Sequence, residues 1–154
     1  MANKKKDFFL PTISVDLHSG TRYDPETGCY VLISPFCVPV SKNKKFMINM
    51  NEYRNVFYQT LDKAKKEYKG IMRDQILALP RMDRVSVDYE IVVGDKRIRD
   101  GNNIQSVTSK FFLDALVEFG VIKDDNMSIV VHEEWNPKGY MKGDGFVEIY
   151  IRPV

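Results

Sequence analysis

Three aspartates in the second half of the chain, Asp100, Asp124 and Asp125, flank one helix in a way that could bring carboxylates together. Asp100 precedes a stretch with apolar residues at Ile104, Val107, Phe111, Phe112, Ala115, Leu116 and Phe119, the three-and-four spacing of a helix with one buried face. Gly120 stands where that helix should stop, at a position that favours a positive φ. Asp124 and Asp125 follow in the next turn, ahead of the apolar run Met127 to Val131. On the other side of the helix Asn103, Ser106, Lys110 and Asp114 are three or four residues apart, which stacks them in one polar stripe. Such a stripe serves solubility on many surface helices. The carboxylates at its two ends give it a second reading. If the Met127 run is a strand beside the one that precedes Asp100, the helix returns the chain to the same sheet edge and the carboxylates converge. Converging carboxylates repel one another unless a proton or cation lies between them, and Mg²⁺ takes oxygen ligands of this kind.

The elements that must position these residues can be read from the pattern around them. Val85, Val87, Tyr89, Ile91 and Val93 alternate with Ser86, Asp88 and Glu90, the clearest strand in the chain, and Gly94-Asp95 turns it. A second strand is expected near Met127 to Glu133. A Gly- and Lys-rich loop from Trp135 to Gly145 and a last strand from Phe146 to Ile151 follow it. Upstream, residues 1 to 6 read as a basic terminus. Phe8 to Val15 reads as a strand that Pro11 confines to an edge, and Asp16 to Gly28 as a loop or hairpin turn. Tyr30 to Ser34 is a strand stopped by Pro35 and Pro39. The basic segment Ser41 to Asn51 leads into one long helix, from about Glu52 to Leu79, that Asn49 or Asn51 caps and Pro80 ends. Its apolar stripe is Tyr53, Val56, Phe57, Leu61, Ala64, Tyr68, Ile71, Met72 and Leu79. This order predicts an α+β or mixed α/β fold: a single domain over 1–154 with a central mixed sheet packed by two main helices.

Composition narrows the function classes. A chain of 154 residues with 44% hydrophobic and 29% charged residues is neither disordered nor membranous in character. Its longest apolar runs, Tyr30 to Ile33 and Ile76 to Leu79, are far shorter than a membrane span. Lys4-Lys5-Lys6 is followed by Asp7 and not by an apolar signal segment, so a cytoplasmic location is expected. Cys29, Cys37, His18 and His132 lack zinc-type spacing. The net charge of +2 does not announce nucleic acid, but its distribution does. Lys42, Lys44, Lys45, Arg54, Lys63, Lys65, Lys66, Lys69 and Arg73 crowd into about thirty residues, a candidate phosphate-contacting surface.

At this point the motifs resemble a known family. Arg99-Asp100-Gly101-Asn102-Asn103, then Lys110, Asp114-Ala115-Leu116, Gly120 and Asp124-Asp125 resemble the RusA-type Holliday-junction resolvases of phages and prophages. Those carry an Arg-Asp-x-Asp-Asn turn, a lysine and Asp-Ala-Leu on a helix, then Gly, an apolar pair and Asp-Asp. The run Asn49 to Asn55 is similar to a segment ahead of the family's first helix. The resemblance is strong over about thirty residues and loose elsewhere. Asn102 stands where the better-known members have a second aspartate, and the gap from Asn103 to Lys110 is longer by about one helical turn. In both respects the chain looks more like a phage branch of the family.

The resemblance implies a Mg²⁺-dependent endodeoxyribonuclease, with Mn²⁺ as an alternative ion, acting as a homodimer that resolves four-way junctions by paired nicks. It implies Asp100 and Asp125 as catalytic, and Asp100, Asp114, Asp124 and Asp125 as the metal carboxylates, with Asn102 or Asn103 offering at best a carbonyl oxygen. Adjacent aspartates in an extended strand point to opposite faces, so only one of the two is expected as a first ligand; the resemblance places the family's catalytic position at Asp125, with Asp124 behind it. Two ions about 4 Å apart can position water and neutralise phosphoryl charge. Lys110 would contact the scissile phosphate or the developing charge; its alternative is an ion pair with Asp114 at i+4. Lys44, Lys45, Arg54, Lys63, Lys66, Arg97 and Arg99 are the candidate DNA contacts. His132, Glu133 and Glu134 are left outside the site. The competing readings are a branched-DNA-binding protein that lost catalysis with the second aspartate, and a protein with no DNA role.

Overall fold

The alternating segment Val85–Val93 forms the spine of the sheet. The computed structural model describes residues 8–18 and 20–154, so the basic terminus lies outside the described residues. In chain order the elements are β1 (Arg22–Asp24), β2 (Cys29–Pro35), β3 (Cys37–Ser41), β4 (Lys44–Met47), α1 (Met50–Asn55), α2 (Tyr58–Leu77), β5 (Val85–Val93), α3 (Gly101–Glu118), β6 (Val130–Tyr140) and β7 (Phe146–Pro153). Five strands form one sheet in the order β1-β2-β7-β5-β6, and β3-β4 is a separate hairpin. Only β5 and β6 run parallel; the other pairs are antiparallel. This is the mixed-sheet α+β architecture that the pattern predicts.

One face of the sheet carries the core. Val87 lies opposite Ile151, Tyr89 opposite Ile149 and Ile91 opposite Val147, and all six are buried. Helix α2 covers this face with Ala64, Tyr68, Met72 and Ile76, and α3 with Val107, Phe111, Phe112 and Leu116 among others. Phe111 stacks on Phe46 of the hairpin at 5.8 Å and meets Tyr68 edge-on at 5.5 Å, which ties the hairpin and both helices together. The Tyr68 hydroxyl, buried here, is 2.8 Å from Ser34 Oγ on β2. The amide of Gln75 exchanges two hydrogen bonds with the backbone of Ile33. That satisfies the stretch of β2 that β1 is too short to pair.

Four expectations are corrected. The long helix from Glu52 breaks at Val56 and Phe57, which are extended with ψ of 156° and 150°. Both α1 and α2 contact α3, and α2 also contacts β2 and β3; the break leaves Phe57 exposed. Phe8 to Val15 forms no strand; Thr12 makes a single bridge to Tyr140, since Pro11 offers no N–H to a ladder. The Trp135 segment continues β6 as far as Tyr140, because β5 presents a free edge to Val93 and a bulge absorbs the extra residue, Lys138. Pro39 does not end the extended chain but sits inside β3, in the separate hairpin, where a missing N–H costs least. Among the described residues no helix is long and apolar enough to cross a membrane.

Candidate functional site

Helix α3 positions most of the candidate residues. Asp100 is its N-cap, and its Oδ1 accepts the Asn102 N–H at 3.0 Å, as a short carboxylate does at a helix start. Asn102 Oδ1 accepts the indole N–H of Trp135 at 2.9 Å. The Asn102 amide is thus engaged in holding an aromatic ring. Lys110 is exposed, with its Nζ 5.9 Å from the centre of the Tyr53 ring on α1. Its suggested partner Asp114 is not among the ion pairs of the described residues.

At the far end of α3, Asp114, Asp124 and Asp125 approach one another. Asp124 and Asp125 lie in the loop before β6, not in an extended strand. Asp124 folds back to accept the Asp125 N–H at 2.7 Å and the Asn126 amide at 3.0 Å, and these bonds hold its carboxyl below the usual range. Burial pushes the Asp125 carboxyl up, reinforced by the carboxyl of Asp124 and by the charge of Asp114. Neighbouring carboxyls with opposite shifts are a recurrent mark of acid–base or metal sites.

The two ends do not meet within one protomer. Since β5 and β6 are parallel, the helix between them runs back along the sheet. It starts beyond the C-terminal end of β5 and finishes before the N-terminal end of β6. Eighteen residues at about 1.5 Å each separate Asp100 from the Asp124–Asp125 loop by roughly 27 Å. The chain does return to the neighbouring strand, but at its opposite end. Among the described residues, none of these four aspartates belongs to a group of three donors close enough to share an ion. Asp100, Asp114, Asp124 and Asp125 therefore do not form a complete divalent-ion site among the described residues.

The candidate DNA contacts divide in the same way. Lys44 of the hairpin and Lys63 of α2 line one concavity with Gln59 and Thr60. It lies at the start of α2, whose first turn has no side-chain cap. Lys45 and Arg54 are exposed close by in sequence. Lys66 pairs with Asp62 at 3.1 Å on open surface, where such a pair contributes little. Arg97 and Arg99 both reach Asp95, at 3.8 Å and 2.7 Å.

Sequence reasoning missed one grouping. On the face of the sheet away from the helices, Asp88 lies opposite Glu134, Ser86 opposite His132, and Glu90 opposite Glu148. His132 Nε2 is 3.3 Å from Asp88 and 3.6 Å from Glu134, and one donor atom of each residue lies within 4.8 Å of the others. Lys138, turned to this face by the bulge, pairs with the buried Glu148. Burial raises the Glu90 carboxyl, and the charges of Glu148 and Asp88 add to it. The signal lay in the alternation of His132 with Glu134 and of Asp88 with Glu90. It became legible only with the parallel register. An imidazole between a half-buried and an exposed carboxylate makes an ion pair as readily as a metal site.

Compared with models of known protein families and with curated proteins, the chain matches none.

Proposed function

We propose that the chain is a metal-dependent endodeoxyribonuclease of the RusA type, acting on four-way or related branched DNA as a homodimer whose protomers share each active site. The observation that carries this reading is the separation along α3. The motif keeps its order, yet Asp100 stands about 27 Å from Asp125. A two-fold axis that sets two α3 helices antiparallel would bring the Asp100 end of one protomer to the acidic end of its partner, and would do so twice. Two sites related by a two-fold suit paired cuts in symmetric strands.

In this arrangement Asp100 of one protomer, with Asp114, Asp125 and the supporting Asp124 of the other, would hold Mg²⁺ or Mn²⁺. The ion would supply a polarised phosphoryl oxygen and an activated water. Lys110, exposed on the stripe between the two ends, would neutralise charge on the scissile phosphate. Lys44 and Lys63 would hold a flanking phosphate against the start of α2. A second reading is favoured by one observation, the engagement of Asn102 with Trp135. With that oxygen committed and one carboxylate fewer, the protein would grip branched DNA without cutting it.

Mixing two inactive variants tests both readings. Asp100→Asn and Asp125→Asn should each abolish Mg²⁺-dependent cleavage of a labelled junction while retaining binding. Random exchange of equal amounts then leaves half the dimers mixed, each with one intact shared site. Nicking should return to roughly a quarter of the wild-type level, without paired cuts. Active wild-type protein with no recovery on mixing would place each site within one protomer. Tight junction binding without cleavage in either metal would establish the binding-protein reading.

A further inference from the structure

A cavity of about 320 Å³ opens beside the start of α3, within the size range of small-molecule sites, roughly 300–1,000 Å³. Val93, Ile104 and Trp135 form its walls, and Phe9, Ile98 and Arg97 stand at its mouth. The indole is fixed in place. Its N–H is held by Asn102, and a Cβ on Gly101 would overlap its ring. Glycine is therefore needed there for space.

Three features say what this slot would hold. Phe9 and Ile98 are left open to solvent at 87% and 64% exposure, an apolar entrance on a charged segment. Arg97 and Arg99 line it, their charge offset in part by Asp95, and no carboxylate among the described residues lines it, so the rim favours an anion. The Arg99 Nη2 is on Asp95, while its Nε is buried with no acceptor among the described residues. An apolar cavity with one fixed aromatic wall and a cationic rim matches a nucleobase with its phosphate. A hydrocarbon chain would not use the rim.

We propose that this cavity takes an unpaired nucleobase of the bound DNA, stacked on Trp135, with the adjoining phosphate on Arg97 and Arg99. The inference rests on the branched-DNA reading above and adds a specificity element to it. Arg99 and Gly101 line the cavity and Asp100 lies between them in the chain, so the base held here would be read next to the cut. Branched DNA supplies bases that unstack at low cost. An aromatic platform accepts any base, and contacts at the edge then discriminate.

Trp135 is the chain's one tryptophan, so its emission reports the cavity directly. The test titrates the intact protein with an oligothymidylate strand, with a strand of equal length lacking every base, and with a four-way junction. Base stacking should make the oligothymidylate bind between about fivefold and about 150-fold more tightly than the baseless strand, with a change in Trp135 emission. Ile98→Glu, at an exposed position, should bring that ratio close to one; Phe9→Ala should reduce it. Equal affinities with unchanged emission, while the junction still binds, would overturn the cavity and leave the DNA reading standing. Emission that follows protein concentration and not DNA would assign the cavity to a second copy of the chain. Failure of all three DNAs to bind would remove the DNA reading and this inference with it.

Discussion

Replacing Lys138 by Met would strand a buried charge, and the structure gives the size of the effect. Glu148 lies on β7 with 2% of its surface exposed, opposite Glu90 on β5. Lys138 is its ion-pair partner. Burial works against the Lys138 charge, but the hydrogen bond and charge of Glu148 override it and hold its pKa above the ordinary value. Removing one member of a buried pair costs about 3–5 kcal/mol. That corresponds to a fall in Tm of roughly 6–20 °C for a domain of this size. Methionine keeps most of the apolar stem, so the change isolates the charge. Urea denaturation followed by circular dichroism should show the loss at pH 7. Adding Glu148→Gln to Lys138→Met should restore most of the stability. Glu148→Gln alone should cost less than Lys138→Met, since the Lys138 side chain is 34% exposed and can reach water. A loss below about 1 kcal/mol at pH 7 would refute the account.

Gly101→Ala drives a methyl into the Trp135 ring. Overpacking of about 1–3 kcal/mol outweighs the helix gain of at most about 1 kcal/mol. A drop in urea stability with a shifted Trp135 emission is expected, and unchanged stability would mean that the indole moves freely. Glu90 has a raised folded pKa. Its favourable contribution therefore exists below the unfolded value and is lost as pH rises through the folded one. Glu90→Gln should raise Tm at pH 7, with the gain shrinking below about pH 4.3; a pH-independent gain would argue against repulsion.

What the sequence disclosed was what local pattern can carry. The β5 strand runs over Val85–Val93, because alternation survives wherever one face is buried. Gly120 has φ of 77° at the end of α3, where the apolar spacing stops. The β3–β4 hairpin stayed hidden, because Lys44 and Lys45 read as a polar lead and only Phe46 is buried deeply against Phe111. The break at Phe57 depends on what α1 and α2 each pack against, which no spacing records. The candidate site shows the same limit. Residue types and intervals nominated Asp100, Lys110, Asp114 and Asp125, but spacing along a helix is silent about its direction relative to the strands. A parallel crossover turns a supposed convergence into the full length of the helix, and it is that length which brings a second protomer into the argument.

The charge balance follows from the same layering. A net charge of +2 conceals two faces of opposite character. Asp88, Glu90 and Glu134 sit on the open side of the sheet. Lys44 and Lys63 sit on the other side, where the hairpin and α2 pack. A helix layer is about 10 Å thick, and the screening length in physiological salt is about 8 Å. A phosphate approaching the helices is therefore largely screened from the carboxylates behind the sheet. If the chain binds DNA as proposed, the acidic face would repel the strand and leave the helix side, with the α3 stripe and the cavity beside Asp100, as its approach.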